Sequence, residues 1–205
     1  MRRLNPDVVY DKKGSTAAEF AMVLPLLLLL IFGLIDACRF IWTYNEAEKA
    51  AQMGARYAVA TEFIPTKLYS YSFVEDGGMT QGASTAGSFS GVTCYYSGSV
   101  KCDSSDAWVG ANNAANINSS AFDNIYNRMK DFVPGLSKDK VEVKYAPAGL
   151  GYAGDPGGSD VSPLVTVTIK GLVFTPITSM LFARITMGNV TSSLTMEDGS
   201  GSFSN

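Results

Sequence analysis

A chain of 205 residues has room for one domain plus a membrane segment, and hardly for two full cores. Charged residues make up 17% of it, below the roughly 25% usual in soluble domains, and a net charge of -3 leaves no basic footprint for nucleic acid. Histidine is absent, which removes His-based acid–base catalysis, Ser-His or Cys-His nucleophile activation and the H-E-x-x-H zinc site. The three cysteines, Cys38, Cys94 and Cys102, are too few to build a fold and lack metal-ligand spacing. Neither a metal nor another cofactor is expected, and no paired catalytic carboxylates point to an enzyme.

Residues 1–14 are polar, contain Pro6 and end in Lys12, Lys13 and Gly14. An uncharged block, F-A-M-V-L-P-L-L-L-L-L-I-F-G-L-I, then runs from Phe20 to Ile35. Crossing a bilayer core of about 30 Å takes roughly 20 apolar helical residues. Extending the block to Thr16 and Ala37 reaches that length and brings in Glu19 at one end and Asp36 at the other. One transmembrane helix over 15–37 is predicted, with Lys12 and Lys13 holding its start in the cytoplasm. A carboxylate inside such a helix is a functional candidate by default, and Glu19 is that residue; the bland alternative is a solvated side chain at headgroup level. Pro25 removes one intrahelical hydrogen bond and predicts a kink.

The helical pattern continues past the span, with no proline before Pro65, so a stalk helix is predicted over 38–63. From Ser15 to Phe63 such a helix measures ~73 Å, less than half of it needed to cross the membrane. Trp42 and Tyr44 fall where an interfacial aromatic belt sits. Ala47, Ala51, Gly54 and Ala58 recur at helical spacing, a small-residue stripe that admits close approach of another helix or sheet. Two occupants fit it equally: a neighbouring subunit, or this chain's own C-terminal domain.

Glycine before a cut, basic residues ahead of it, glutamate as the fifth residue after it and an apolar stretch beyond: this arrangement resembles the prepilin peptidase signal. Gly14 and Ser15 would flank the cut, placing Glu19 fifth. The Glu19-Phe20 pair resembles that of Tad/Flp pilins more than the opening of type II secretion pseudopilins. The run A-A-E-F-A-M-V-L-P-L-L-L and the later A-x-x-G-A-R segment are similar to the TadE family, which includes TadE and TadF. The resemblance covers roughly residues 12–60.

That resemblance implies a minor pilin or pseudopilin of the Tad (tight adherence, Flp) pilus. It would be a single-pass inner-membrane protein with its C-terminal domain in the periplasm, remaining at the base of the pilus or entering it. It implies cleavage after Gly14 and, from Glu19, a carboxylate pairing with the amino terminus of a neighbouring subunit. Two buried opposite charges offset much of each other's desolvation only when they meet, so the pair would select axial register. The implied partners are prepilin peptidase, the Flp major pilin, sister pseudopilins and the Tad inner-membrane platform. The rival reading is an uncleaved, signal-anchored periplasmic binding or adhesion domain in which Gly14 and Glu19 are coincidental.

Residues 64–119 are rich in Gly, Ser, Thr, Asn and Tyr and sustain no period, which reads as a long loop region. Within it G-V-T-C-Y-Y-S-G-S-V-K-C predicts a hairpin turning near Ser97-Gly98, with Cys94 facing Cys102 in a disulfide that an extracytoplasmic location permits. Residues 120–205 predict a helix starting at Ser120 and Asp123 with Phe122, Ile125, Tyr126, Met129 and Phe132 on one face, stopped by Pro134-Gly135. Three strands follow: V-E-V-K-Y, L-V-T-V-T-I-K-G-L-V-F with Val165, Val167 and Ile169 on one face, and N-V-T-S-S-L-T-M-E, as an antiparallel sheet with one face buried and one wet. P-I-T-S-M-L-F-A-R reads as a short helix or an apolar loop, and E-D-G-S-G-S-F-S-N as a disordered tail. The predicted class is α+β, a long pilin-like N-terminal helix packed on a small antiparallel sheet with one additional helix.

Several motifs are decoys. Gly149, Gly151 and Gly154 spell G-x-G-x-x-G, but D-P-G-G-S-D follows where a dinucleotide site needs a helix. Asn118 and Asn189 head glycosylation sequons that a bacterial reading leaves unused. Asp103 and Asp106 lack calcium-loop spacing, and Arg2-Arg3 stands too far from the apolar block for a twin-arginine signal. Ile35-Asp36-Ala37-Cys38 resembles a lipoprotein box only faintly, since helical pattern continues past Cys38, and no small-x-small cleavage site follows the apolar run.

Overall fold

The computed structural model describes residues 13–156, 158–179 and 183–201. The expected leader, residues 1–14, therefore lies almost wholly outside the described residues. The chain is α+β and divides into two compact units. One comprises the residues up to Thr43 with Val173–Ile185; the other comprises Tyr44–Leu172 and the residues from Thr186 onward. Helix α1, Lys13–Val59, supplies residues to both and runs through Pro25 without interruption. It ends four residues before the predicted Phe63.

In the larger unit, strands β1 (Val92–Ser97), β2 (Ser99–Ser104), β3 (Val141–Ala146), β4 (Leu164–Ile169) and β7 (Val190–Thr195) form one antiparallel sheet in the order β2-β1-β3-β4-β7. Strands β5 (Val173–Phe174) and β6 (Ile185–Thr186) make a separate two-stranded ladder. The sheet has five strands where about three are predicted, because the cystine hairpin β1–β2 is its edge and not a loop excursion. Gly98, at a φ of 75°, makes the hairpin turn in the left-handed region that glycine tolerates. Period-two alternation buries Val141, Val143 and Tyr145 on β3 and Val165, Val167 and Ile169 on β4. On β7, which among the described residues pairs with β4 alone, Val190 is buried but Leu194 is exposed.

The core joins this sheet to the outer part of α1 and to α3 (Ser119–Lys130). Helix α3 starts one residue before the predicted Ser120, since the Asn118 side chain accepts the Ala121 N–H at 3.1 Å and satisfies an orphan donor of the first turn. Its buried face is Ala121, Phe122, Ile125, Tyr126 and Met129. The small-residue stripe of α1 faces inward: Ala47, Ala51, Gly54 and Ala58 are all buried. A Cβ on Gly54 would lie 2.7 Å from Met129 Cγ and 3.3 Å from Val167 Cγ1. Of the two occupants open to the stripe, the protein's own α3 and β4 take it.

The segment 64–119 is not a free loop. Its ends are tied together where Thr66 N–H donates to Asn116 at 2.9 Å and Asn118 N–H to Ile64 at 2.7 Å. Between them stand the one-turn helix α2, Lys67–Ser70, the β1–β2 hairpin and an aromatic cluster. Trp108 is the hub of that cluster, its ring centroid 4.8 Å from Tyr71, 5.0 Å from Phe73 and 5.9 Å from Phe89, and its indole N–H donates to Ser88. Asp160 adds a second tie. Its carboxylate accepts the N–H groups of Phe73, Gly154 and Asp155 at 2.7, 3.0 and 3.0 Å. The G-x-G-x-x-G stretch packs against Asp160: Gly154 donates to its carboxylate, and Gly151, at a φ of 117°, would place a Cβ 2.5 Å from its backbone carbonyl oxygen.

The predicted disordered tail is also corrected, as far as it is described. Glu197 and Asp198 N–H groups both donate to the Val59 carbonyl, at 3.0 and 2.9 Å, and Phe63 N–H donates to Gly199. An exposed helix end leaves its last carbonyls unpaired, and the tail supplies donors for one of them.

Candidate functional site

The smaller unit carries the sequence's candidate cleavage and assembly residues. Gly14 and Ser15 lie in the first turn of α1. One turn on, Glu19 and Phe20 project from the helix surface, Phe20 63% exposed. The run from Met22 to Ile35 follows with its large apolar side chains exposed all round the helix. In a water-soluble core helix such residues would face a protein interior; here none of the described residues cover the apolar stretch, and it is long and apolar enough to cross a membrane.

The apolar run ends in a site that sequence reading treated only as a bounding charge. Asp36 is 7% exposed. Its Oδ1 accepts the Ile177 N–H at 2.7 Å, and its Oδ2 accepts the Thr178 N–H at 3.0 Å and the Thr178 hydroxyl at 2.8 Å. Arg39, one turn further along α1, donates to Oδ1 at 3.1 Å. A carboxylate removed from water has to be satisfied in this way, and charge-assisted bonds to two successive backbone N–H groups hold the turn at 176–179 in place. Phe40 packs edge-on against Phe174 with centroids 5.5 Å apart, and the Arg39 guanidinium lies 5.4 Å from the same ring. Residues 173–179 are thereby held on α1, and with 183–185 they form a strap beside it. Between strap and helix runs an apolar groove of about 600 Å³, lined among others by Gly33, Ala37, Ile41, Pro176, Ala183 and Ile185. Nothing local signals the pairing, because Asp36 and Ile177 are 141 residues apart.

The remaining sequence candidates lie in the larger unit. Cys94 and Cys102 stand opposite each other in the β1–β2 register and are bonded as a disulfide, while Cys38, in the smaller unit, is an exposed free thiol. The structure therefore assembles no reactive cluster from the predicted residues. It separates the exposed Glu19 and Phe20 from a buried structural stripe, Ala47 to Ala58.

Among the described residues, one exposed apolar helix of spanning length leads into an antiparallel α+β domain, which defines a class of protein with an N-terminal anchor-length helix. Within that class the N-terminal segment is similar to one known family: residues 14–56 match the sequence model of the family described as TadE-like protein. No curated protein and no solved structure matches the chain.

Proposed function

We propose that the chain is a TadE-like minor pilin or pseudopilin that serves assembly of a Tad/Flp pilus and performs no catalysis of its own. The observation that carries this reading is the family match, which begins at Gly14 and takes in Glu19, Phe20 and the apolar run. In this reading α1 crosses the inner membrane once, with its start in the cytoplasm and the α+β domain in the periplasm. Prepilin peptidase cuts between Gly14 and Ser15, and Glu19, fifth in the mature chain, meets the new amino group of a neighbouring subunit. The exposure of Glu19 on the helix surface supports that role, since a carboxylate folded into the protein's own core would not be presented to a second subunit. Its partners are the Flp pilin, sister pseudopilins and the Tad platform.

The test is co-expression with the cognate prepilin peptidase, followed by mass and N-terminal determination of the mature protein. The expected product begins at Ser15, and Gly14→Ala blocks its formation. An intact N-terminus, or processing indifferent to Gly14→Ala, would overturn the reading in favour of an uncleaved, signal-anchored domain.

A further inference from the structure

We propose that the strap residues 173–179 and 183–185 form a second membrane-contacting element, seated in the interfacial layer of the bilayer that α1 crosses. The inference rests on the reading of α1 as a transmembrane helix and adds to it a return of the chain to the lipid about 140 residues later.

Depth comes first. Starting at Thr16, about 20 helical residues at 1.5 Å each span roughly 30 Å, which brings the far edge of the hydrocarbon to Ile35. Asp36, Arg39, Ile41 and Trp42 then occupy the next two turns, at headgroup level, where a tryptophan and a long cationic side chain are at home. Asp36 fixes the strap at this same level through Ile177 and Thr178, and Phe40 fixes it through Phe174.

Composition comes second. The strap residues 173–179 and 183–185 read V-F-T-P-I-T-S and A-R-I, with Arg184 the one charge among them. Its apolar side chains do not all turn inward: Val173 is 55% exposed, Ile177 54% and Ile185 47%. With Ile41 and Trp42 of α1, 59% and 69% exposed, they extend the apolar surface of the span past its end on one unit of the protein. An exposed apolar patch in water is a liability, and here it is continuous with a surface already read as lipid-facing. Lipid is therefore its occupant: acyl chains cover Ile177 and Ile185 and enter the groove beside Gly33 and Ala37, while the Asp36 carboxylate is withdrawn from them by its four donors. A segment that lies in the interface in this way needs buried apolar area and polar groups satisfied by the protein; Phe174 supplies the first, and the bonds from the Ile177 and Thr178 N–H groups to Asp36 supply the second.

The experiment uses the full chain in phosphatidylcholine vesicles, with Cys38→Ser as background and an environment-sensitive fluorophore on single introduced cysteines. Ile177→Cys and Ile185→Cys report on the two arms of the strap, Leu30→Cys on the span and Lys130→Cys on the aqueous domain. Lipids carrying a quencher on the acyl chain are expected to at least halve emission at 177, 185 and 30 and to leave 130 unchanged. If either strap position behaves like 130 while 30 is quenched, the strap proposal falls and the membrane span stands, whether water or a second protein copy covers the strap. If 30 is not quenched either, the span reading falls and takes the strap with it.

Discussion

Tyr145 shows how far a single buried group reaches. Its ring is fully buried against Phe63, at 5.5 Å between centroids, and its oxygen accepts the Ile64 N–H at 3.3 Å. Burial raises the phenol's pKa above its ordinary value, with the Ile64 N–H opposing in part, so folding favours the protonated form. A group whose folded pKa is raised contributes stability that is complete below its unfolded pKa, near 10, and is lost as pH rises beyond it. One such proton corresponds to a fall of about 1.4 kcal/mol per pH unit above about pH 10. Tyr145→Phe is expected to cost about 1 kcal/mol at neutral pH by leaving the Ile64 N–H unpaired. The same change flattens the alkaline decline by one proton's slope, which denaturant unfolding of the full chain across this pH range measures. Asp160 and Asp36 belong to the same scale and were not legible in sequence. Each stands in a stretch that reads as loop or boundary, and the donors that define it lie up to 87 and 142 residues away.

At the scale of elements, the small-residue stripe of α1 decides how closely the helix lies on the sheet. Gly54 is the tightest point, so Gly54→Leu forces Met129 and Val167 apart and is expected to lower stability by about 1–3 kcal/mol. Pairing it with Met129→Ala should restore part of the loss, because the added side chain then enters the volume that Met129 vacates. Thermal unfolding of the two variants beside the parent checks both statements. Strands β3 and β4 and helix α3 were readable in advance, since their alternation and helical spacing are local patterns that burial of one face imposes. The number of strands was not. Membership of β1 and β2 in the main sheet depends on pairing Cys94 with Val143 and Tyr95 with Glu142, partners about 50 residues distant. An aromatic cluster that packs Trp108 on Tyr71 and Phe73 likewise has no period for a sequence to display.

Across the whole molecule, surface and core divide the N-terminal helix between two tasks. Its exposed first part carries Glu19, and its outer part, from Ala47 to Val59, is committed to the protein's own α+β core. Glu19→Ala is therefore expected to leave folding and membrane insertion of the protein unchanged while abolishing pilus assembly. Membrane fractionation beside a count of surface pili in a complemented deletion strain measures the two separately; unchanged piliation would leave Glu19 without an assembly role. Ala47→Leu predicts the opposite order of effects, since it disturbs the core before any partner is met.

The sequence alone determined the anchor-length helix, the Gly14–Glu19 spacing in front of it, the facing cysteines of the hairpin and the α+β class. All four depend on residues close in the chain, where composition, spacing and periodicity act directly. Only the tertiary structure decided that the small-residue stripe serves the protein's own sheet. It also decided that the 64–119 region is built into the core, that the tail closes the end of α1, and that Asp36 holds the strap. Each of these rests on burying a helix face or pairing a backbone group with a partner far along the chain. That energy exists only once distant segments meet, and no local pattern announces it.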